Sequence, residues 1–350
     1  MTTLKDIATF VGVSISTVSR VINNDTSRHI NPDTAAKVWH AVRELGYEPN
    51  ESARTLVKNG REKSRPSKQI GCLVSGPHIR DGHPYFSPII SGMMNRLNET
   101  EYSLAFVHTP EEATAETALT RMILEHRIDG LIVIGWINNT LIEYIKSTTL
   151  PVVGISASGL DIPLVDYDRT AAAKSAVEHL LHAGHRSIAF VGGGGHNGAL
   201  DTEERYQGYK YALFEAGIPL NTSWIINTHW NIDNSFKFVS ELINRERGSL
   251  PTALFAASDQ LAIPAMRAVI EAGLRIPADM AVMSMDNIDI AKYTTPPLSS
   301  VHVPKAEIGM TAVKTLLDQI QADSPQASKV LLPYRLIIRE SSSPVSLTPT

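Results

Sequence analysis

The chain has 350 residues, 43% hydrophobic and 19% charged, with a formal net charge of −4. That length predicts two or three domains with sizeable cores, and no apolar run reaches the roughly 20 residues needed to span a bilayer. A single cysteine, Cys72, excludes an internal disulfide, and the chain opens on a charged helical pattern rather than a secretory signal, so a cytoplasmic location is expected.

The first predicted helix covers residues 4–10, with Thr3 as N-cap and Asp6 three residues on. Ile7, Ala8 and Val11 form its inward face. Gly12-Val13 reads as a tight turn. Ser14 then caps a second helix in which Val18 and Ile22 lie one turn apart on the buried side. Ile15, Ser16, Thr17 and Arg20 stay exposed. Such a helix suits a DNA major groove: arginine pairs bidentately with guanine, hydroxyls reach bases or phosphates, and isoleucine touches a thymine methyl. In the third helix Asn31 is the cap, Pro32 the first helical residue and Asp33 favoured by the dipole. Val38, Ala41, Val42 and Leu45 form its stripe, Gly46 ends it, and Pro49 prevents a restart. A generic three-helix bundle is the alternative, but caps, turn and polar second helix agree on a helix-turn-helix.

Residues 51–58 make about two helical turns, too short to be stable alone in water. Ala53 and Leu56 share a face, and Leu56 has no core to enter. Residues 59–69 are polar, carry Gly and Pro, and read as a linker. Residues 1–70 hold 11 Lys/Arg against 7 Asp/Glu (+4), and the remainder 21 against 29 (−8). A basic head on an acidic body suits a head that alone meets phosphate.

Beyond the linker, short apolar runs at 70–74, 104–107, 131–134 and 152–155 alternate with helical patterns at 89–97, 116–126 and 141–147. The alternation repeats through helix 170–182, strand 188–191, helix 204–216, strand 224–226, helix 234–245, strand 253–255, helix 260–272 and strand 281–284. This predicts two consecutive doubly wound parallel α/β lobes. Cys72 falls in the first run and reads as a buried strand residue. A strand at 299–303, a helix at 305–319 and a run at 331–338 follow. The tail 341–350 is Ser/Pro/Thr-rich, reads as disordered, and has no leucine heptads.

Three features invite catalytic or cofactor readings. Residues 193–198 match G-x-G-x-x-G by letter, but residues 199–204 read as a loop and a fresh helix start, not as the apolar helix of a dinucleotide site. The glycines read instead as a flexible loop at a strand's carboxyl end, where α/β lobes bind ligands. His179, His182 and His185 are spaced by three, yet Gly184 displaces the last, and no carboxylate or cysteine completes a metal set. Residues 154–159 miss the G-x-S-x-G nucleophile elbow, which needs glycine at position 158. With no catalytic constellation, the chain is not read as an enzyme, and neither cofactor nor metal is expected.

The combination Ile7-Ala8, Gly12-Val13-Ser14, Thr17-Val18-Ser19-Arg20-Val21-Ile22-Asn23, Gly46-Tyr47, Pro49-Asn50 and Ala53-Arg54-Thr55-Leu56 resembles the lactose/galactose repressor (LacI/GalR) family of bacterial transcription regulators. The resemblance continues to about residue 340. It implies a three-helix headpiece over 1–50, a hinge helix and linker over 51–69, and a periplasmic-binding-protein-like body over 70–340. The body's N-lobe would hold about 70–164 and 300–327, and its C-lobe about 165–299 and 328–340, the chain crossing three times. The DNA-facing set is Thr3, Lys5, Ser14, Ile15, Ser16, Thr17, Ser19, Arg20, Asn23, Arg28 and Asn50, joined by Ala53, Arg54 and Leu56 of the hinge. In the family the hinge folds on DNA, pairs with its twin and drives its leucine into a central base step.

The resemblance also implies a homodimer on a near-palindromic double-stranded operator and a small effector, a sugar, held between the lobes. Arg205 matches the arginine that bonds sugar hydroxyls, and Asp286 the acid facing it; an Arg–Asp pair that merely joins elements is the alternative. Trp230 matches the aromatic face for a pyranose, with a core tryptophan the alternative. Tyr85, Phe86, Ser156, Ser258 and Asp259 complete the expected effector set. Ser258 stands where several sugar-responsive members have Asn, and Ser156 where some have Asp. A periplasmic-type sugar-binding protein and a nucleotide-using α/β enzyme are the competing readings.

Overall fold

The computed structural model describes residues 4–22, 30–45, 66–75, 82–109, 127–135, 143, 145, 148, 150–157, 162–195, 198–246, 248–322 and 328–343. Two compact units emerge, Met1–Arg65 and Pro66–Thr350.

The first unit contains α1 (Leu4–Val11), α2 (Ile15–Ile22) and α3 (Pro32–Glu44). Ile7, Ala8, Val18, Val21, Ile22, Val38 and Ala41 are buried together, one face from each helix. Gly12 turns the chain between α1 and α2 at φ 74°, a conformation that a side chain would strain. Its amide and that of Val13 both return to the Ala8 carbonyl, closing the end of α1. The Ser14 hydroxyl accepts from the Thr17 amide at 3.1 Å, and the Asn31 amide oxygen from Asp33 at 2.9 Å. The expected caps of α2 and α3 are therefore made, and Thr3, the expected cap of α1, lies outside the described residues. Val21 joins the core beside the expected Val18 and Ile22.

The second unit carries two six-stranded sheets. The first holds β1 (Gln69–Val74), β2 (Ser103–His108), β3 (Gly130–Ile134), β4 (Val152–Ile155), β5 (Leu164–Asp166) and β11 (Lys329–Leu331), in the order β11-β5-β4-β3-β1-β2. All of its pairings are parallel. The second holds β6 (Ile188–Gly192), β7 (Ile225–Asn227), β8 (Ala253–Ala256), β9 (Ala281–Asp286), β10 (Ser299–His302) and β12 (Arg335–Ile337), in the order β12-β10-β9-β8-β6-β7. Only β12 runs antiparallel, against β10.

Alternation explains why these strands are apolar throughout. In β3, Ile132 and Ile134 enter one core while Leu131 and Val133 enter the other. In β8, Ala253 and Phe255 face one side while Leu254 and Ala256 face the opposite one. Successive side chains point to opposite faces, and both faces are covered. In the first sheet, α4 (Phe86–Asn98) packs on α9 (Lys305–Gln321). The second is flanked by α5 (Arg169–His182) with α6 (Glu204–Glu215) and by α7 (Ile232–Arg245) with α8 (Asp259–Glu271). Glycines let α4 and α9 approach closely: a Cβ at Gly92 would lie 2.0 Å from the Ala306 carbonyl oxygen, and one at Gly309 2.0 Å from that of Ile89.

Four expectations need correction. The strand at 299–302 pairs with β9, so it belongs to the second sheet, and the chain recrosses after it rather than before. Lys329–Leu331 extends the first sheet beside β5, whereas only Arg335–Ile337 joins the second, so the run 328–340 is divided between lobes. The first crossing follows β5, a three-residue strand too short for periodicity to register. The tail is ordered at its start: the Ser341 hydroxyl donates to the Val282 carbonyl at 2.7 Å and accepts from the Ser299 amide at 2.8 Å, fully buried. Cys72 is buried in β1, where desolvation pushes its thiol up to about 12. The predicted helices at 116–126 and 141–147, and the hinge at 51–58, lie wholly or largely outside the described residues.

Candidate functional site

The headpiece presents a short polar surface along α2. Ile15 is 48% exposed and Ser16 is exposed beside it. The hydroxyl of Ser14 lies 2.7 Å from that of Ser16 and 2.8 Å from that of Thr17. Thr17, Ser19 and Arg20 are half-buried and Lys5 is exposed on α1. An isoleucine, three linked hydroxyls and a guanidinium on one short helix match the donors, acceptors and methyl contacts that a major groove offers. Thr3, Asn23, Arg28, Asn50, Ala53, Arg54 and Leu56 lie outside the described residues.

In the body, the candidate side chains follow the carboxyl ends of parallel strands, the usual binding edge of an open α/β sheet. Tyr85 and Phe86 begin α4, Ser156 follows β4, Trp230 follows β7, and Asp286 ends β9. Asp286 Oδ1 and Tyr167 Oη, just after β5, are buried without a hydrogen-bond partner, and the buried Tyr85 and Ser156 hydroxyls have no partner but each other. Buried polar atoms are normally paired, so under-satisfied groups gathered here from both lobes make this the candidate ligand site. They lie within one electrostatic neighbourhood: Asp286 acts on both tyrosines, and Arg205 on Tyr167. Burial, above all, pushes the Tyr85 hydroxyl up to about 12 and the Tyr167 hydroxyl well above its ordinary value, so both stay neutral. Ser156, Trp230, Asp286 and Asn287 adopt positive φ of 57°, 60°, 99° and 46°. Non-glycine residues held there carry strain, and strain of this kind gathers at binding sites.

Arg205 opens α6. Its Nε donates to Glu203 Oε1 at 2.8 Å and one terminal nitrogen donates to the Ala257 carbonyl at 3.2 Å. Glu203, nearly buried, also caps α6 by accepting from the amides of Arg205 and Tyr206. Burial works against the guanidinium charge, but Glu203, Tyr167 and Asp286 together hold Arg205 above the ordinary arginine range. The guanidinium lies 4.4 Å from the centre of the Trp230 ring. The Trp230 indole is fixed in turn by donating to the Gly194 carbonyl at 2.8 Å. The glycines therefore do something other than form a loose loop: a Cβ on Gly193 would lie 2.4 Å from the Trp230 ring, and one on Gly194 2.0 Å from the Gly198 carbonyl oxygen. Trp230 remains 37% exposed, so it is no core tryptophan.

Two expected effector residues are committed elsewhere. The Ser258 hydroxyl caps α8 by accepting from the Leu261 amide at 3.3 Å. Asp259 is fully buried and its carboxylate is saturated: it accepts from the Ser284 hydroxyl, from the Ser300 hydroxyl at 2.6 Å and from the Ile288 amide at 2.7 Å. It faces the interior of the second lobe, because those donors pull it there.

Three residues that sequence reasoning missed belong to the site. Tyr167 and Arg169 follow the unrecognised strand β5. The Arg169 guanidinium, itself buried, contacts Asp166 and Glu204, each at 2.8 Å, and so ties the end of the first sheet to α6. Glu203 was legible only as part of an acidic helix start. The histidines have structural partners: His179 Nε2 lies 3.0 Å from the Ser342 hydroxyl and His185 Nδ1 3.0 Å from that of Thr252. Among the described residues no cluster could hold a metal ion, and no helix is long and apolar enough to cross a membrane.

Comparison with known proteins addresses both units. Residues 3–50 match the model for bacterial regulatory proteins of the lacI family, and residues 177–342 match the periplasmic binding protein-like domain. The ribose operon repressor of Haemophilus influenzae is 33% identical over 343 residues, covering 97% of this chain and 98% of that one. The HTH-type transcriptional repressor PurR of Aliivibrio fischeri (strain ATCC 700601 / ES114) is 32% identical over 348 residues, covering 98% and 99%. Among solved structures, a complex of the transcriptional regulator CelR with cellobiose aligns with a TM-score of 0.71 at 26% identity, covering 97% of this chain and all of that one. The lac repressor dimer bound to operator and the anti-inducer ONPF aligns with a TM-score of 0.69 at 28% identity, covering 97% and 99%.

Proposed function

The chain belongs to the LacI family of bacterial regulatory proteins, DNA-binding repressors rather than enzymes, and from that premise we propose that its effector is a small neutral sugar held between the lobes. The observation that carries the proposal is the set of under-satisfied buried polar atoms on Tyr85, Ser156, Tyr167 and Asp286 around Arg205. Two phenols and a serine donate or accept, Asp286 only accepts, and the free nitrogen of Arg205 only donates. Vicinal hydroxyls satisfy such a mixed set, since each both donates and accepts. Charge favours a neutral ligand. Arg205 is already paired with Glu203, and Arg169 with Asp166 and Glu204, while the buried Lys305 ammonium is taken up by the Asp286 carbonyl beside the Asp286 carboxylate, so among the described residues the cations here are matched by carboxylates. The exposed face of Trp230 supplies the apolar wall against which a sugar ring's C–H face packs.

In this reading the protein represses a carbohydrate-utilisation operon from the cytoplasm. Two headpieces of a homodimer read a near-palindromic operator through Ile15, Ser16 and Arg20, while Lys5 and Arg28 meet phosphate. The hinge residues Ala53, Arg54 and Leu56 order on DNA. A sugar that favours one arrangement of the lobes changes the spacing of the hinges, and shifts operator affinity only by its differential affinity for the two states.

A purine base is the second reading, favoured by the several PurR relatives and by a flat indole face that suits base stacking. Titration calorimetry of D-ribose, cellobiose and guanine into the native protein, with operator shift assays, separates the two. Binding of ribose or cellobiose with altered operator affinity is the expected result; binding of guanine alone overturns the sugar reading. Arg205→Ala and Asp286→Ala are each expected to keep operator binding and to lose the effector response.

A further inference from the structure

Asp286 can offer its carboxylate to a ligand only if the segment after it holds a conformation that non-glycine residues avoid. Asp286 has φ 99° and Asn287 φ 46°. Strain of that kind persists only where neighbouring structure over-determines it. The two amides after Asp286 show what does so. The Ile288 amide donates directly to Asp259 Oδ2 at 2.7 Å. The Asn287 amide donates to the Ser300 hydroxyl at 2.9 Å, and that hydroxyl donates to Asp259 Oδ1 at 2.6 Å. Ser284, two residues before Asp286 on β9, donates its hydroxyl to the same carboxylate oxygen. One buried carboxylate at the start of α8 therefore gathers β9, β10 and the turn between them.

We infer that Asp259 is a positioning residue for the effector, one that never touches the ligand and acts by holding the Asp286–Ile288 turn. The inference rests on the cleft reading above and deepens it. The Asp259 carboxylate has no accessible surface and three donors already aimed at it, so a ligand has no route to it. Lys305 grips the turn from outside by donating to the Asp286 carbonyl, and Arg339 by donating to the Asn287 side chain at 2.8 Å. Neither reaches the two amides. Those depend on Asp259 and its relay through Ser300.

Amide hydrogen exchange on the ligand-free, full-length protein tests this without knowledge of the effector. Asp259→Asn, Asp259→Ala and Ser300→Ala are compared with the native chain. Exchange at Asn287 and Ile288 is expected to rise at least about tenfold, less in the Asn than in the Ala variant, while Val282 and Met283 within β9 stay protected. Unchanged exchange at both turn amides overturns the inference, as does loss of protection throughout β9, which means that Asp259 merely holds the lobe together. Should the Asp259 variants fail to fold, Ser300→Ala decides, since it removes only the relay to Asn287. D-Ribose calorimetry on the same proteins forms the second arm. A roughly tenfold weaker affinity with unchanged operator binding supports positioning, whereas weaker affinity with native exchange means direct contact and overturns it. Should the native chain bind cellobiose rather than ribose, cellobiose replaces it in this arm; if it binds neither sugar nor guanine, the effector reading fails and the exchange arm alone judges Asp259.

Discussion

Replacing Gly193 with alanine tests whether the glycine loop exists to seat Trp230. The new methyl carbon would lie 2.4 Å from both Cδ1 and Nε1 of the indole. Gly193 is not among the glycines with positive φ, so the backbone itself accepts alanine. Carbon contacts normally sit at about 3.5–4.0 Å, and the ring must therefore retreat by about 1 Å or more. That retreat takes the indole nitrogen beyond reach of the Gly194 carbonyl, now 2.8 Å away, and slides the ring off the Arg205 guanidinium, now 4.4 Å from its centre. Losing the hydrogen bond is worth about 0.5–1.5 kcal/mol and weakening the cation–π contact about 0.5–1 kcal/mol. Together they weaken effector binding by roughly 5- to 70-fold. Because both contacts are made within the free protein, and the open side of Trp230 lets the ring move without disturbing the core, the thermal midpoint is expected to fall by roughly 2–5 °C without loss of the fold. Calorimetry with the sugar that the native protein binds, beside a Trp230→Leu control, is the assay. Native affinity in Gly193→Ala refutes the reasoning, because the ring would then have tolerated displacement without consequence.

Other expectations concern the remaining parts of the molecule. Changing Ile15 or Ser16 should alter base preference at fixed operator positions by about 1–3 kcal/mol per lost contact, read from operator libraries, whereas a phosphate contact such as Lys5 weakens all sequences alike. Gly309→Ala drives a methyl against the Ile89 carbonyl oxygen and should destabilise the body by about 1–3 kcal/mol in thermal melts, with the headpiece unaffected. Burial first, and then the nearby Asp286 carboxylate, push the Asp259 carboxyl up to about 7, and burial raises Asp286 as well. The folded state then binds a proton that the unfolded chain releases, so this group's contribution to stability grows as pH falls from 8 toward 5 and is lost as pH rises through 7. Ser284, Ser300, the Ile288 amide, Asp286 and Lys305 surround the group, whereas the half-buried histidines 179, 185 and 302, held low by desolvation, act in the opposite direction. The difference in melting temperature between the native chain and Asp259→Asn cancels the histidines. That difference should depend on pH over this window, and a flat difference refutes the assignment.

The strands that were legible are those with apolar residues on both faces, such as β3 and β8. The strands that were missed, β5 and β11, have three residues each; β5 is too short to show a period beside β4, and β11 takes its place from a neighbour over 160 positions away, Lys329 opposite Leu164. Local pattern carries no such information. The same holds for the site. Arg205, Asp286 and Trp230 stood out because they match the family's effector positions beyond predicted strands. Asp259 stood out for the same reason and faces the other way, because Ser284 and Ser300, 25 and 41 residues distant, supply hydroxyls inside the lobe. Tyr167 was invisible as long as β5 was.

The last two strands have a consequence for how the chain matures. Lys329–Leu331 and Arg335–Ile337 are separated by three residues, yet each forms an outer edge of a different sheet. During synthesis the first sheet can pair β1 to β5 early, but it must wait for α9 to cover α4 and for β11 to close its edge. The second waits for β12 and for the serine anchor at Ser341. Closure of such distant contacts is slow, and open strand edges are sticky while it is pending. The two lobes are therefore completed within about ten residues of each other, and a truncation ahead of Lys329 should damage the first lobe, made earliest, along with the second.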